Sequence, residues 1–361
     1  MSDRVGAAGP DVVRTVAGQS GLELEPLLVL EPLEAFLDDA GLGSGPIEAS
    51  AIGGGHSNVT YLLRRGEESL VLRRPPRGPL PPSAHDVLRE ARLLSALGPL
   101  GFRVPEVLAT CEDGNVIGAP FYVMPFVAGH VLTATLPPEI GDAGAPARIA
   151  EELVDCLVEL HAIDVEGAGL AAFGRADGYL ERQIKRFGGL LELNATRPLP
   201  DLERLAEWLA ANIPDSPAAT VVHGDYRLGN VMFAPSSPRL VAVLDWEMAT
   251  IGDPLADVGY MTAMWAQPDD PPNPVGDLSE VTRLPGFPGR EALAERYVAA
   301  TGLSLDALGW YQVLALWKAA IFLEGSYKRY QAGTTVDTYF ARLGEGVEKI
   351  GRLAYERAGI A

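Results

Sequence analysis

Three oxygen-bearing side chains stand at a spacing that suits one kind of reaction. The run His223-Gly224-Asp225-Tyr226-Arg227-Leu228-Gly229-Asn230 follows the short apolar stretch Thr220-Val221-Val222. Fifteen residues beyond Asn230, after a second apolar stretch, come Leu244-Asp245-Trp246-Glu247. Phosphoryl transfer asks for little covalent help from a protein. It needs a carboxylate to orient the attacking hydroxyl and take its proton, and oxygen ligands for the metal that bridges the phosphates. Mg²⁺ takes hard oxygen donors, few of them from protein, with water and phosphate completing its octahedron. Asp225, Asn230 and Asp245 are residues of those types, placed in loops at strand ends. Asp, Gly and Asn are also common turn formers. An Asp, an Asn five residues on and an Asp closing the next strand are harder to obtain from turns alone.

A second candidate is Gly53-Gly54-Gly55-His56-Ser57-Asn58. Glycines let a backbone approach phosphate closely, and their N–H groups bind phosphate oxygens. A plain hairpin turn would read the same way. Its place before a pair of strands, and ahead of the His-Gly-Asp loop, makes it a nucleotide lid.

The elements that must position these residues fall into two groups. Leu27, Leu30, Leu33, Phe36 and Leu37 recur near helical spacing over 26–41, and the Gly-rich turn at 41–45 ends that helix. Val59, Tyr61 and Leu63 alternate as a strand, Gly66-Glu67 turns, and a second strand through Leu70-Val71-Leu72 ends in Arg73-Arg74-Pro75-Pro76. Val87, Leu88, Ala91, Leu94 and Leu97 mark a helix, and Phe121-Tyr122-Val123-Met124 a further strand closed by Pro125. Beyond the switch near 124–129 the pattern is mainly helical, over 146–162 and 308–325, with two strand-like runs at 220–222 and 240–244. The stripe Trp310, Val313, Leu314, Trp317 and Ile321 reads as core, and 268–288 reads as a long loop. We expect a flexible tail over 1–20, an N-terminal nucleotide-binding lobe over 21–127 and a C-terminal catalytic and substrate lobe over 128–361. A crevice between two such lobes is a natural cofactor site.

Composition narrows the partners. A chain of 361 residues exceeds one compact domain, and 47% hydrophobic with 21% charged residues is an ordinary globular balance. A formal charge of −19 argues against nucleic acid and against an anionic membrane surface, both of which select clustered Lys and Arg. Cys111 and Cys156 stand apart, so neither a disulfide framework nor a zinc site is expected. No leader and no run of eighteen apolar residues is seen, which sets a cytoplasmic location as the expectation.

The quoted segments resemble the aminoglycoside phosphotransferase and choline-kinase-related family, and more narrowly the branch that occurs as a kinase-like domain joined to acyl-CoA dehydrogenases. The resemblance covers roughly residues 40–330 and is most specific in 222–233 and 243–259. It implies an α+β, protein-kinase-like fold with a β-rich N-terminal lobe and a mainly helical C-terminal lobe. It makes Asp225 the catalytic base and Asn230 and Asp245 the Mg²⁺ ligands. His223-Gly224-Asp225 stands where protein kinases carry H-R-D, and Asp245-Trp246-Glu247 where they carry D-F-G. No A-P-E segment follows, which disfavours a protein kinase.

By the same resemblance, Arg73 stands where the family has a phosphate-binding Lys, with Glu90 as its partner. Arg offers a planar fork in place of a point charge. Met124-Pro125-Phe126-Val127 resembles the hinge whose backbone meets the adenine edge, so Met124 and Phe126 join the nucleotide set, with ATP against GTP left open. Asp253 and Asp257 match the family's G-D-P-x-x-D, Asp257 as a buttress for the catalytic loop and Asp253 as a helix cap. His161 is read as structural. Tyr179, Glu181, Arg182, Lys185 and Arg186 form a helical stretch that either meets an anionic substrate or is a solvated face.

The expectation is an ATP- and Mg²⁺-dependent phosphotransferase acting on a hydroxyl of an aminoglycoside-, choline- or hydroxyacyl-type acceptor. The alternative is a catalytically weak or silent nucleotide-binding protein, for which Arg73 speaks. A metal hydrolase lacks the His ligands such sites bring. Oligomeric state is left open.

Overall fold

The computed structural model describes residues 11–19, 22, 24–53, 58–78, 85–333 and 338–360. The chain divides into two compact units, Met1–Val127 and Ala128–Ala361.

The first unit is built on an antiparallel sheet. β1 (Val12–Val13) pairs in parallel with β2 (Leu28–Val29), which leads into α1 (Leu30–Asp39). Val12–Val13 lies within the stretch 1–20 expected as a tail, and residues 1–10 and 20 lie outside the described residues. Strands β3 (Glu48–Ile52), β4 (Val59–Arg65), β5 (Glu68–Arg74), β6 (Ala109–Cys111) and β7 (Phe121–Pro125) pair in the order β3-β4-β5-β7-β6. Between β5 and β6 lies α2 (Val87–Leu97), whose N-cap Asp86 accepts the Arg89 N–H at 2.8 Å, and between β6 and β7 the single turn α3 (Gly114–Ile117).

Strand parity decides the fate of the two adjacent arginines. Leu70 and Leu72 enter a core with Leu30, Leu33 and Leu37 of α1, and Arg74 follows them on that face. It is buried there, donating to the carbonyls of Leu27 and Ile117. Arg73 shares the opposite face with Val71, and its Nε donates to Glu90 of α2 at 3.0 Å.

The second unit is mainly helical. It carries α4 (Ala145–His161), α5 (Tyr179–Asn194), α6 (Pro200–Ala211), α7 (Leu255–Met264), α8 (Arg290–Thr301), α9 (Leu308–Gln331) and α10 (Leu343–Ala358). The expected core stripe is buried: Trp310, Val313, Leu314, Trp317 and Ile321 on α9 are at most 5% exposed. α7 packs on α9 so closely that a Cβ on Gly259 would lie 2.4 Å from the Cβ of Tyr311. The expected loop over 268–288 holds a 3₁₀ segment, Gly276–Arg283, pinned by Arg283 to the carbonyls of Gln267 and Asp270.

Two short antiparallel pairs are set among these helices. β8 (Thr220–Val222) pairs with β11 (Thr250–Gly252), and β9 (Val231–Phe233) with β10 (Leu240–Val243). The loops at their ends carry the residues singled out for chemistry.

Candidate active site

The β8–β9 connection is held from inside the protein. Asp257, in the first turn of α7 and fully buried, accepts the N–H of His223 at 2.6 Å and of Gly224 at 2.8 Å. Its Oδ2 also lies 3.4 Å from Nε2 of His161, whose Nδ1 is 2.8 Å from the Tyr297 hydroxyl. Burial alone would raise the Asp257 carboxyl. The hydrogen bond with His161 and that from the Gly224 N–H outweigh it and hold the group below its ordinary value. Asp253 meets the start of α7, its Oδ1 accepting the Leu255 N–H at 2.9 Å while Oδ2 takes the Tyr311 hydroxyl at 2.6 Å.

Gly224 has φ +84°, and a Cβ there would stand 2.8 Å from the Met248 carbonyl oxygen. Glycine is required by both conformation and space. The His223 ring is fixed by two bonds. Nδ1 accepts the Asp225 N–H at 3.2 Å, which leaves Nε2 to donate to the Leu244 carbonyl at 2.9 Å. The Leu244 N–H in turn donates to the Asn230 carbonyl at 2.8 Å. The Leu244 peptide therefore joins the His223–Asn230 loop to the end of β10, and Asp245 follows directly.

Asn230 closes the constellation. Its Nδ2 donates to the backbone carbonyl of Asp225 at 2.8 Å and to Asp225 Oδ2 at 2.7 Å. Both donor directions of the amide are thereby used, leaving Asn230 Oδ1 as an acceptor. Asp225 Oδ1 is buried without a hydrogen-bond partner, with Arg227 Nε 3.5 Å away. Asp245 adopts φ 64° and ψ 63°, a left-handed conformation that a non-glycine residue holds at a cost of about 1–3 kcal/mol and that clusters at functional sites.

These oxygens fit a metal shared with phosphate. Asp and Asn are hard donors of the type Mg²⁺ takes. Among the described residues, no group of three or more His, Cys, Asp or Glu forms a closed metal cage.

In the first unit, the expected partners Arg73 and Glu90 are together, 3.0 Å apart with Glu90 only 2% exposed. Gly53 has φ +78° and Asn58 is buried. Gly54, Gly55, His56 and Ser57 lie outside the described residues. Met124 is half-buried at the end of β7, and Phe126 is exposed, its N–H donating to the Ser69 carbonyl at 2.9 Å.

Sequence reasoning gave no role to Tyr260. Tyr260 sits one helical turn beyond Asp257 on α7. Burial, then the negative charge of Asp225, lifts its phenol well above the ordinary value. The i, i+3 spacing from Asp257 was the available signal.

A β-rich unit followed by a mainly helical unit that carries the acidic loop residues is the organisation of a protein-kinase-like fold. The chain belongs to the phosphotransferase enzyme family, whose model matches residues 48–316. It is 31% identical to a candidate aminoglycoside phosphotransferase of Ralstonia eutropha, with a TM-score of 0.76 over 91% of this chain and 98% of that one. The ternary complex of an aminoglycoside phosphotransferase with AMP-PNP and hygromycin B shares the fold, with a TM-score of 0.60 at 16% identity over 92% of this chain and all of that one. It is also 34% identical, over 87% of its length, to mouse acyl-CoA dehydrogenase family member 10, of which it covers 30%. It spans 30–40% of the length of the curated relatives it matches. Among the described residues, no helix is long and apolar enough to cross a membrane.

Proposed function

We propose that the chain transfers the terminal phosphoryl group of ATP to a hydroxyl of a small molecule, with Mg²⁺ bound. The observation that carries this reading is the bare oxygen of Asp225. A buried carboxylate oxygen without a hydrogen-bond partner is costly, and a hydroxyl donor satisfies it. Asp225 then orients the acceptor and takes its proton at Oδ1 as the new P–O bond forms. Asn230 fixes Oδ2, and Asp257 fixes the backbone on which Asp225 stands.

Asp245 and the Oδ1 of Asn230 would hold Mg²⁺, which neutralises charge on the phosphates when bound. In the first unit Arg73, braced by Glu90, would grip nucleotide phosphate through its fork. Gly53, Gly54, Gly55, His56, Ser57 and Asn58 would cover the phosphates, and backbone near Met124 and Phe126 would meet the base. Residues 21–127 are in this reading the nucleotide-binding part and 128–361 the catalytic part, in a cytoplasmic protein. The nucleotide analogue and small-molecule acceptor in the hygromycin complex support the reaction class. The acceptor is of the aminoglycoside, choline or hydroxyacyl type, the last supported by kinship with acyl-CoA dehydrogenase family members.

Arg73 at the family's Lys position favours a second reading, a weak or silent nucleotide-binding protein. ADP release and radiolabel transfer from γ-labelled ATP, over acceptors of all three types, separate the two. Nucleotide binding without transfer to any hydroxyl would overturn the first.

A further inference from the structure

Arg227 lies in extended backbone, φ −154° and ψ 165°, ahead of the 3₁₀ turn Leu228–Asn230. Its side chain folds back along its own loop. Nε stands 3.5 Å from Asp225 Oδ1, and a Cβ on Gly229 would overlap Nη1 and come 3.1 Å from Cζ. Glycine at 229 thus leaves free the space that the guanidinium fills. Gly229 is inside the 3₁₀ turn, so the demand there is for room and not for a left-handed backbone.

The guanidinium is placed but not satisfied. Arginine carries five N–H donors, and among the described residues none of those on Arg227 makes a hydrogen bond. At 3.5 Å, Nε is too far from Asp225 Oδ1 for a good one, whereas an arginine that braces a carboxylate typically grips it with two short bonds. Oδ1 for its part is bare. The two side chains keep 18% and 24% of their surface exposed, so a ligand can reach the pair. One loop therefore presents an unused acceptor and an unused fork of donors side by side.

The reaction proposed above puts a hydroxyl on Oδ1 and brings the incoming phosphorus to about 3–3.5 Å from the hydroxyl oxygen. The oxygens of that group, over which its charge is spread, then come within reach of the guanidinium. An arginine fork matches phosphate or carboxylate with two parallel hydrogen bonds. We propose that Arg227 is a catalytic residue whose guanidinium takes an anionic oxygen beside the hydroxyl that Asp225 holds, the oxygen coming either from the transferring phosphoryl group or from a carboxylate or phosphate on the acceptor. This rests on Asp225 as the base. In the first case Arg227 meets the charge on the phosphoryl oxygens while the bond to the acceptor oxygen forms, the bond to ADP breaks and the hydroxyl proton passes to Asp225.

The full chain and its Arg227→Gln, Arg227→Lys and Gly229→Ala variants test this, each with and without Asp225→Asn. Inorganic phosphate, titrated calorimetrically in the presence of MgADP, is the probe anion. We expect Arg227→Gln to bind it about tenfold or more weakly, the size of a lost charge-assisted hydrogen bond, and Arg227→Lys to lose less. Gly229→Ala keeps every charge and displaces only the guanidinium, so it should weaken phosphate as well. The melting temperature of Arg227→Gln should stay within about 2 °C of wild type, because no hydrogen bond goes with the side chain. A much lower value makes Gly229→Ala the deciding variant.

If Arg227 meets the anion itself, its loss persists in the Asp225→Asn background. If it only steadies Asp225, the loss vanishes there, and the proposal is overturned. Unchanged phosphate binding in Arg227→Gln overturns it too, as does wild-type protein that binds no phosphate. Kinetics with glycerate and glycerol separate the two sources of the oxygen. In Arg227→Gln, a lower kcat with both places it on the phosphoryl group, and a higher KM for glycerate alone places it on the acceptor. Asp225→Asn that keeps its kcat defeats the reading of Asp225 as base, and phosphate binding decides Arg227 whether or not either alcohol turns over.

Discussion

Asp257 accepts the backbone N–H of His223 from 34 residues away, at 2.6 Å, with no exposed surface. The base proposed for the reaction therefore stands on a loop whose shape depends on a carboxylate that never meets substrate.

Asp257→Ala leaves two buried N–H groups bare, and we expect a loss of about 2–4 kcal/mol in stability together with most of the activity. Asp257→Asn keeps the shape but supplies a donor where an acceptor is needed. A carboxyl held below its unfolded value stabilises the fold above about pH 4 and loses that contribution as pH falls through the folded value. Urea unfolding from pH 7 to pH 2.5 should thus show an acid loss in the wild type that is smaller in Asp257→Asn.

Asp225→Asn retains an oxygen and removes the proton acceptor. General bases contribute about 10²–10⁴-fold, so kcat should fall by that factor, about 3–5 kcal/mol of barrier. MgATP affinity should stay within a few-fold. If Asp225→Asn keeps its rate while Glu247→Gln loses it, the base is Glu247.

At Asp245 strain and chemistry can be separated. Asp245→Gly relieves the left-handed backbone, and we expect a gain of about 1 kcal/mol in stability with loss of Mg²⁺-dependent turnover. Asn230→Ala should also lose turnover. A variant at either position that turns over normally in Mg²⁺ would remove that residue from the metal site.

Arg73→Ala should weaken MgATP binding or lower kcat by about tenfold, which is 1.4 kcal/mol, while the fold survives. Arg73→Lys tests the exchange with the family residue. Arg74→Ala behaves differently. It vacates a buried position and strands the Leu27 and Ile117 carbonyls, so about 2–4 kcal/mol of stability should go with it. Melting curves measured beside nucleotide affinity distinguish the two neighbours.

The meeting of Asp225 and Asn230 was legible because they lie five apart in sequence, in a run whose residue types suit phosphoryl transfer, and they are in contact. The alternation of β4 and β5 was legible for a similar reason, since strand parity is local. Arg73 and Glu90 were paired through family resemblance, and the 3.0 Å contact agrees. The buried role of Arg74 was not legible, because it depends on α1 covering one face of β5. The burial of Lys318 on α9 was missed on the same ground. A lysine in an apolar helix is usually turned outward, and its burial follows from how α5 and α7 close over α9, a tertiary fact that periodicity does not encode.

The Leu244 peptide offers a gauge of the whole constellation. Its amide proton is bonded to Asn230 and its carbonyl to the His223 ring, so that proton cannot exchange with deuterated solvent unless the loop parts from the strand end. Deuterium uptake at this one amide would then count openings of the site in the resting protein, and its slowing on addition of nucleotide would count how many of those openings a bound phosphate suppresses.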